Sequence, residues 1–457
     1  MFAPLIALLG ISNPVIISLI RICLLSGTVI IAYRAFIKPK EGIVWLLIIT
    51  SFNVIGEVAK FPYFGNITLF HITLLFFIAG WLTKSIRESI PLLPRGIIFN
   101  LVLLFLMVTG ISVLYSPNRN KAVVDFIRLC ALVLLFITTT RLSYTKKDTD
   151  KFAKTLVALG LANAGLSYFQ LITRKFIVSS ARMGVIRRIP HFLRASGFFF
   201  DPNKFAGLMM FCFLMAFALL IYTQRKKLYS AILVLLGSTL LLTFSRSAWV
   251  GTFSGCVVIL LFAKKPVKKI FVFLLVISIF FYTATQLPRV GVFMRHRVKS
   301  LFHPGSSSSS IVRKDMAISA VKIFLDHPMG IGWRGFPVAY HKYMLPGTPR
   351  VGLTGREHVI MESHSLPFTI IAEFGIAGVV LSFLLVFHVL KYIVTTFKTL
   401  KDDKLRAVFI SLSGIWCAFL VRFCFYSDIF DNLFWIGFGL LITIGRASRK
   451  LVANSCR

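Results

Sequence analysis

A histidine and a glutamate flank an apolar run where a long polar loop meets the next hydrophobic segment. The run lies between His364 and Gly378, and Glu373 follows His364 by nine residues. Ionisable side chains at membrane depth cost about 2 to 3 kcal/mol each, so they persist mainly where they face a cavity, a partner or a substrate. The pattern therefore indicates a candidate site at a membrane boundary. A histidine that only caps an ordinary spanning helix is the alternative.

Two arginines, Arg246 and Arg313, occupy positions where a positive charge is unexpected unless it has a function. Arg246 lies in Thr243 to Ser247, between two apolar runs that leave almost no room for a loop. A guanidinium at that depth, with no acid nearby in sequence, favours an anionic partner, and phosphate matches its bidentate geometry. Snorkelling to the interface is the alternative. Arg313 follows a run of five serines, 306–310, which predicts a flexible loop tip.

Arg313 also begins a segment that reads as a helix, with apolar residues at Ile311, Ile318, Val321 and Phe324 or Leu325. For Arg313 itself, one more loop cation is the alternative to a binding function. Further on, Gly330 and Gly332 follow a proline, and because no Lys-Ser pair follows them they predict a tight turn rather than a phosphate loop.

Upstream, Arg194 precedes the stretch Asp201-Pro202-Asn203, which predicts a turn that starts a helix. Metal chemistry is not indicated by the histidines or the cysteines. Of nine histidines, those at 296, 303, 327, 341, 358 and 364 lie in or beside the long polar loop, without zinc-ligand spacing. The seven cysteines lie in predicted spans or near the C-terminus, and no Cys-x-x-Cys occurs, so neither disulfides nor a cysteine metal site is expected.

The surrounding elements are hydrophobic segments of membrane-spanning length. Residues are 57% hydrophobic and 14% aromatic, which indicates an all-α, polytopic membrane protein. The segments predict about twelve transmembrane helices, or thirteen with an N-terminal segment that shows no signal-peptide features. The net charge of +36 lies largely in clusters between apolar runs, as the positive-inside rule predicts, so nucleic acid is not expected as a partner.

Four parts follow from this pattern. Residues 1–171 form N-terminal transmembrane helices, and 172–287 form central helices with a basic outside loop at 172–196. Residues 288–363 form a large extracytoplasmic loop, and 364–457 form C-terminal helices and a cytoplasmic tail. Individual spans are predicted at 42–59 and 270–287, among others.

The two predicted outside loops are basic, although the positive-inside rule places basic residues mainly in cytoplasmic loops. The loop at 172–196 has six Lys or Arg and no acid, and the loop at 288–363 has eleven Lys or Arg against four acids. A polyanionic ligand such as a lipid pyrophosphate accounts for exported cations. Contact with anionic headgroups of the outer leaflet is the alternative.

Together, these residues resemble the O-antigen ligase and O-antigen polymerase superfamily of bacterial envelope polysaccharide glycosyltransferases. The resemblance rests on four stretches: Gly197 to Ala206 with its Pro-Asn pair, Ser245-Arg246, Arg313 to Gly332 with its Pro-x-Gly-x-Gly ending, and His364 to Gly378. It covers roughly residues 190–390, whereas the first 150 residues match only as generic spans. One departure is Ser365, where the family often has asparagine.

The resemblance implies a multi-pass protein of the bacterial cytoplasmic (inner) membrane, with its active site facing the periplasm. The donor would be an undecaprenyl-pyrophosphate-linked glycan, and an acceptor hydroxyl would attack its anomeric carbon among the surrounding membrane lipids. The acceptor would be lipid A-core or a second lipid-linked glycan. No cofactor, nucleotide sugar or metal is implied.

The same resemblance suggests roles for five residues. Arg246 and Arg313 would hold and neutralise the pyrophosphate leaving group. His364 would orient or deprotonate the acceptor. Arg194 would contact the donor headgroup, and Glu373 would either orient a cation or pack structurally.

Several functions stay open at this point. A ligase would use lipid A-core in lipopolysaccharide biosynthesis, and an O-antigen or exopolysaccharide polymerase would use a second polyprenyl-linked unit. We favour the ligase, because the extracytoplasmic mass is concentrated in one loop before His364. A peptidoglycan polymerase of the shape, elongation and division family is a sister alternative. A polysaccharide or lipid transporter or flippase would more commonly show two related halves, whereas the polar features here lie in the second half.

Overall fold

The computed structural model describes residues 14–52, 57–61, 65–173, 194–199, 201–263, 308–346 and 363–455. Its elements in chain order are α1 (Pro14–Ile37), α2 (Pro39–Ser51), β1 (Glu57–Phe61), β2 (Gly65–Thr68), α3 (Leu69–Arg87), α4 (Ile97–Leu114), α5 (Arg119–Arg141), α6 (Lys146–Thr173), α7 (Pro202–Tyr222), α8 (Lys226–Leu242), α9 (Arg246–Leu261), α10 (Ser308–Asp326), α11 (Phe336–Tyr343), α12 (Leu366–Thr399), α13 (Asp403–Phe423) and α14 (Asn432–Ser455).

Within these residues, seven helices are long and apolar enough to cross a membrane: α3, α4, α5, α6, α7, α12 and α13. Shorter apolar helical stretches cover Ser26–Ile37, Arg246–Leu261 and Asn432–Ala447. The protein is therefore a helical, multi-pass membrane protein, as predicted. The structure does not support the predicted count of about twelve spans.

One departure from the predicted helices lies near the N-terminus. The predicted span at 42–59 is instead the 13-residue helix α2, which ends at Ser51, followed by the antiparallel hairpin β1–β2. At 1.5 Å per residue such a helix is about 20 Å long, short of the hydrocarbon core. The prediction extended the helix to residue 59 because it was based on hydropathy alone.

Several sequence predictions lie outside the described residues. These are most of the basic loop at 172–196, the span at 270–287, and residues 288–307 and 347–362 of the large loop.

Contacts between helix ends place these ends at two faces of the protein. At one face, Ser116 Oγ donates to the Trp333 carbonyl at 2.5 Å. At the other, Tyr392 Oη donates to the Ile442 carbonyl at 2.8 Å, and Lys146 pairs with Asp402. We call the first face the His364 end. We call the second face the basic end, because it carries Arg87, Arg141, Lys226 and Lys398 in or beside its helix termini and Arg446 within α14.

Helices α9 and α13 cross closely through glycines. A Cβ at Gly251 would lie 2.8 Å from the Ala418 carbonyl oxygen, and one at Gly255 would lie 2.9 Å from that of Gly414. Small residues let membrane helices approach until their backbones touch. This contact fixes the helix that begins with Arg246 against the C-terminal part of the chain.

Helix α12 is interrupted at Gly375, and a neighbouring loop forms hydrogen bonds with the backbone groups that the interruption leaves without helical partners. Gly375 has φ 57° and ψ −149°, a conformation essentially restricted to glycine. The loop after α10 supplies replacement hydrogen bonds: Ile331 N–H donates to the Ala372 carbonyl at 3.0 Å, and Ile376 N–H donates to the Pro328 carbonyl at 2.9 Å. The break therefore becomes a docking site for the loop.

The predicted tight turn at Gly330 and Gly332 is confirmed, with φ of 84° and 86°. Gly332 N–H donates to the Glu373 carbonyl at 3.1 Å. A Cβ at Gly330 would lie 2.5 Å from that same carbonyl oxygen. The two glycines thus allow the backbone of the turn to lie directly on α12.

Helices α10 and α11 form a small lobe on the start of α12. Its buried residues are Met316, Ala320, Ile323, Phe336, Tyr340 and Ala372. The predicted helix after the serine run is confirmed, but its predicted apolar face is wrong, because Ile311, Val321 and Leu325 are exposed. The prediction of a flexible tip is also wrong for Ser308, where α10 begins.

The break at Gly375 gives the first prediction. Gly375→Ala would place a Cβ 2.1 Å from the Pro328 carbonyl oxygen in a conformation that alanine rarely adopts. We expect a loss of about 3 kcal/mol in stability, read as a lower melting temperature in detergent. Gly165→Ala is the control, because a Cβ there meets nothing within 4 Å and alanine favours a helix. Equal melting temperatures for the two variants would contradict the docking argument.

Candidate active site

Arg246 is held by a tight connection between α8 and α9. Phe244 is buried with φ 52°, and Ser245 N–H donates to Thr243 Oγ1 at 3.2 Å. Trp249, one turn into α9, donates its indole N–H to the Leu240 carbonyl at 3.2 Å. The connection therefore fixes Arg246, half-buried, as the first residue of α9 at the His364 end.

Arg194 stabilises the connection between α8 and α9 through hydrogen bonds. Its Nε donates to the Thr243 carbonyl at 2.6 Å, and its Nη2 donates to Asn203 Oδ1 at 3.1 Å. Asp201 caps α7 by accepting from Asn203 N–H at 2.8 Å, which confirms the predicted Asp-Pro-Asn helix start. Arg194 thus joins the start of α7 to the turn before Arg246.

Arg313 lies near Arg246 although 67 residues separate them in sequence. Its side chain is exposed on α10. Protein atoms that displace water lower the pKa of Arg313, and the positive charge of Arg246 lowers it further. An arginine stays charged nonetheless. No carboxylate in the part of the chain that the structure describes forms an ion pair with Arg313, so the two cations create a positive local field.

His364 lies immediately before α12 in a strained conformation. Its φ is 55°, uncommon for a residue other than glycine, and its side chain is exposed. The neighbouring serines fix this geometry: Ser363 Oγ donates to the Ser365 carbonyl at 2.7 Å and lies 2.7 Å from Thr369 Oγ1. Strain of this kind concentrates at functional sites. The lobe that carries Arg313 packs on the first turns of the same helix.

Glu373 is buried beside the break in α12. Its Oε1 accepts from Phe336 N–H at 3.1 Å, at the start of α11. Its backbone carbonyl accepts from Gly332. The described contacts of Glu373 therefore join α12 to the backbone N–H groups of Phe336 and Gly332.

Residues 231–383 match a protein-family model described as O-antigen ligase. The match confirms the predicted resemblance to the O-antigen ligase and O-antigen polymerase superfamily. No match was found among curated proteins.

The matched segment contains Arg246, Arg313, His364 and Glu373, whereas Arg194 lies before it. The helices on either side of the segment hold these residues in place. Two buried charge clusters make the connection, and neither was predicted from the sequence.

The first cluster is centred on Asp125, which is fully buried in α5. Arg334 Nε donates to Asp125 Oδ2 at 2.7 Å, and Arg128 Nη1 lies 3.2 Å from Oδ1. The Arg334 guanidinium also lies 5.4 Å from the ring centroid of Phe430. This cluster fastens the loop that docks on α12. An aspartate within an apolar run was the signal that could have revealed it.

The second cluster is centred on Arg422, fully buried at the end of α13. Its Nη1 donates to Asp431 Oδ2 at 3.1 Å, and its Nη2 donates to the Asn203 carbonyl at 3.0 Å. Because Asn203 also binds Arg194, hydrogen bonds lead from Arg422 to the turn before Arg246. An arginine inside the last apolar segments was the sequence signal here.

The Asp125 cluster gives the second prediction. Asp125→Asn leaves the buried Arg334 without its carboxylate, so we expect a loss of about 3 kcal/mol in stability. Arg334→Met should cost less, because Arg128 and Lys121 still pair with Asp125. The melting temperatures of both purified variants test this order. A larger loss in Arg334→Met would contradict it.

Proposed function

We propose that the protein transfers an undecaprenyl-pyrophosphate-linked glycan to an acceptor hydroxyl on the outer face of the cytoplasmic membrane. Lipid A-core is the proposed acceptor, which makes the protein an O-antigen ligase. One observation supports the proposal most: within the segment that matches the family, Arg313 on the lobe lies close enough to Arg246 on a membrane helix for the charge of Arg246 to lower the pKa of Arg313.

The arginines would act on the donor. Its pyrophosphate is anionic, and negative charge grows on the leaving oxygen as the bond to the anomeric carbon breaks. Preorganised cations stabilise such developing charge without reorganising during the reaction. Arg246 and Arg313 come from separate elements, so the site assembles only when α10 is docked on α12.

His364 would act on the acceptor. The acceptor oxygen forms a bond to the anomeric carbon, the bond to the pyrophosphate breaks, and the hydroxyl proton passes to the imidazole. Unperturbed imidazole titrates near physiological pH and suits this transfer. The exposed side chain of His364, at the start of α12, leaves access for a large acceptor.

The other two residues receive supporting functions in this proposal. Arg194 positions the turn before Arg246, and Glu373 positions the start of α11. A direct contact of Arg194 with the donor headgroup stays a prediction, as does a contact of Glu373 with a cation.

We further propose that the His364 end faces the periplasm and that the chain crosses the membrane about twelve times. The described helix ends support one of these crossings. Helix α9 ends near α12 at the basic end, where the Phe262 and Phe397 rings lie 4.5 Å apart, whereas α10 lies at the His364 end. The predicted span at 270–287 would return the chain between them.

Orientation is tested with two exposed lysines, one at each end. In a variant without native cysteines, Lys322→Cys on α10 should react with a membrane-impermeant thiol reagent in intact spheroplasts. Lys398→Cys, at the basic end of α12, should react only after lysis. The reverse pattern would overturn the proposed orientation.

The arginine function is tested by a change that keeps the charge. Arg246→Lys loses the bidentate geometry, so we expect glycan transfer to fall about a hundredfold while the protein stays folded. Arg313→Lys should act in the same direction. Arg225→Lys, exposed at the basic end, is the control and should keep full activity. Unchanged transfer in Arg246→Lys and Arg246→Ala would remove the phosphate function.

His364→Ala should lower transfer by roughly a hundredfold or more but leave donor binding largely intact, because donor binding is assigned to the arginines. The assay uses purified protein in nanodiscs with lipid-linked glycan, lipid A-core and a chelator, read as a gel shift of the acceptor. His327→Ala, an exposed histidine at the same end, is the control.

Two results of this assay would change the proposal. A strict metal requirement would contradict the arginine mechanism. Longer lipid-linked glycans in place of modified lipid A-core would favour the polymerase.

A further inference from the structure

A cavity lies at the basic end, away from the proposed active site. It has a volume of about 230 Å³ and lies between the start of α4 and the helices α5, α12 and α14. Its polar lining includes Arg95, Thr140, Tyr392 and Arg446. A more open cleft shares Arg95, Gly96 and neighbouring residues with the cavity, so the two adjoin.

The charge at this cavity is positive. Arg446 Nη2 donates to the Arg95 carbonyl at 3.2 Å, which holds its guanidinium at the wall. Arg141 lies close enough for its charge to repel that of Arg446, and its Nε is buried without a hydrogen-bond partner. Among the described residues, no acidic side chain lines the cavity or pairs with these three arginines.

The backbone adds a further attraction for an anion. Helix α4 begins at the cavity with Gly96 as its N-cap, at φ 138°, and no side chain caps its first N–H groups. A Cβ at Gly96 would meet nothing within 4 Å, so the space in front of the helix is open. Helix N-termini of this kind favour negative charge.

The adjoining cleft is apolar. It is lined by Leu92, Leu93, Phe99 and Leu103, and the first two leucines are exposed. A ligand that fits both parts has a negative headgroup for the arginines and a hydrocarbon chain for the leucines.

We propose that this cavity binds an anionic phospholipid of the leaflet at the basic end. The phosphate lies between Arg95, Arg446 and the start of α4, and an acyl chain follows the leucine cleft. Basic pockets between membrane helices suit such headgroups. The site is independent of the proposed glycan transfer, which is assigned to the opposite end.

The test measures lipid binding to the purified full chain by native mass spectrometry, with phosphatidylglycerol as the probe. Arg95 has an exposed side chain, so Arg95→Gln should fold normally. We expect its apparent affinity to fall about fivefold, and that of Arg95→Gln/Arg446→Gln about 30-fold. Arg87→Gln, an exposed arginine at the same end outside the cavity, is the matched control and should stay within about twofold of the unaltered protein.

Two comparisons complete the test. Phosphatidylcholine should bind more weakly than phosphatidylglycerol, and inorganic phosphate at millimolar concentration should not displace the lipid. Equal affinities in Arg95→Gln and Arg87→Gln would overturn the proposal, as would equal binding of the two lipids. Displacement by inorganic phosphate would assign the site to a free anion.

Discussion

The rest of the site depends on the repair of the broken helix α12 by the loop from Pro328 to Gly332. Backbone groups without partners inside a membrane cost several kcal/mol each, so a break at Gly375 persists only where other groups satisfy them. The loop does so with three backbone hydrogen bonds. Because these bonds fix the end of α10, they also restrict where the helix that carries Arg313 can lie.

Buried ion pairs extend this arrangement beyond the segment that matches the family. Arg334 belongs to that segment, but its partner Asp125 lies on α5, far upstream. Arg422 pairs with Asp431 after the segment, and it also donates to the carbonyl of Asn203 before the segment. Such pairs gain little net stability over apolar residues, yet breaking one is costly. Their physical effect is to make one relative position of the helices strongly preferred.

The candidate site residues could be singled out from the sequence because ionisable groups are conspicuous against apolar segments. Arg246 and His364 stood out for that reason, and the two glycines before Trp333 predicted their turn. The partnership of Arg334 with Asp125 could not be predicted, because it joins residues 209 positions apart. The buried face of α10 was missed because local periodicity does not show which side a neighbouring helix will cover.

The hydropathy pattern similarly located α2 but not its end. Hydropathy records composition, whereas the hydrogen bonds of the hairpin β1–β2 determine where that helix stops.

At the His364 end, the basic side chains differ in whether a carboxylate forms an ion pair with them. Arg334 and Arg422 each lie within 3.1 Å of a buried carboxylate, and Lys204 lies 3.2 Å from Asp428, so these charges hold helices together. Arg313 has no such ion pair among the described residues. An anion bound by Arg313 would therefore displace no structural contact, which is what a site that binds and releases a pyrophosphate in each cycle requires.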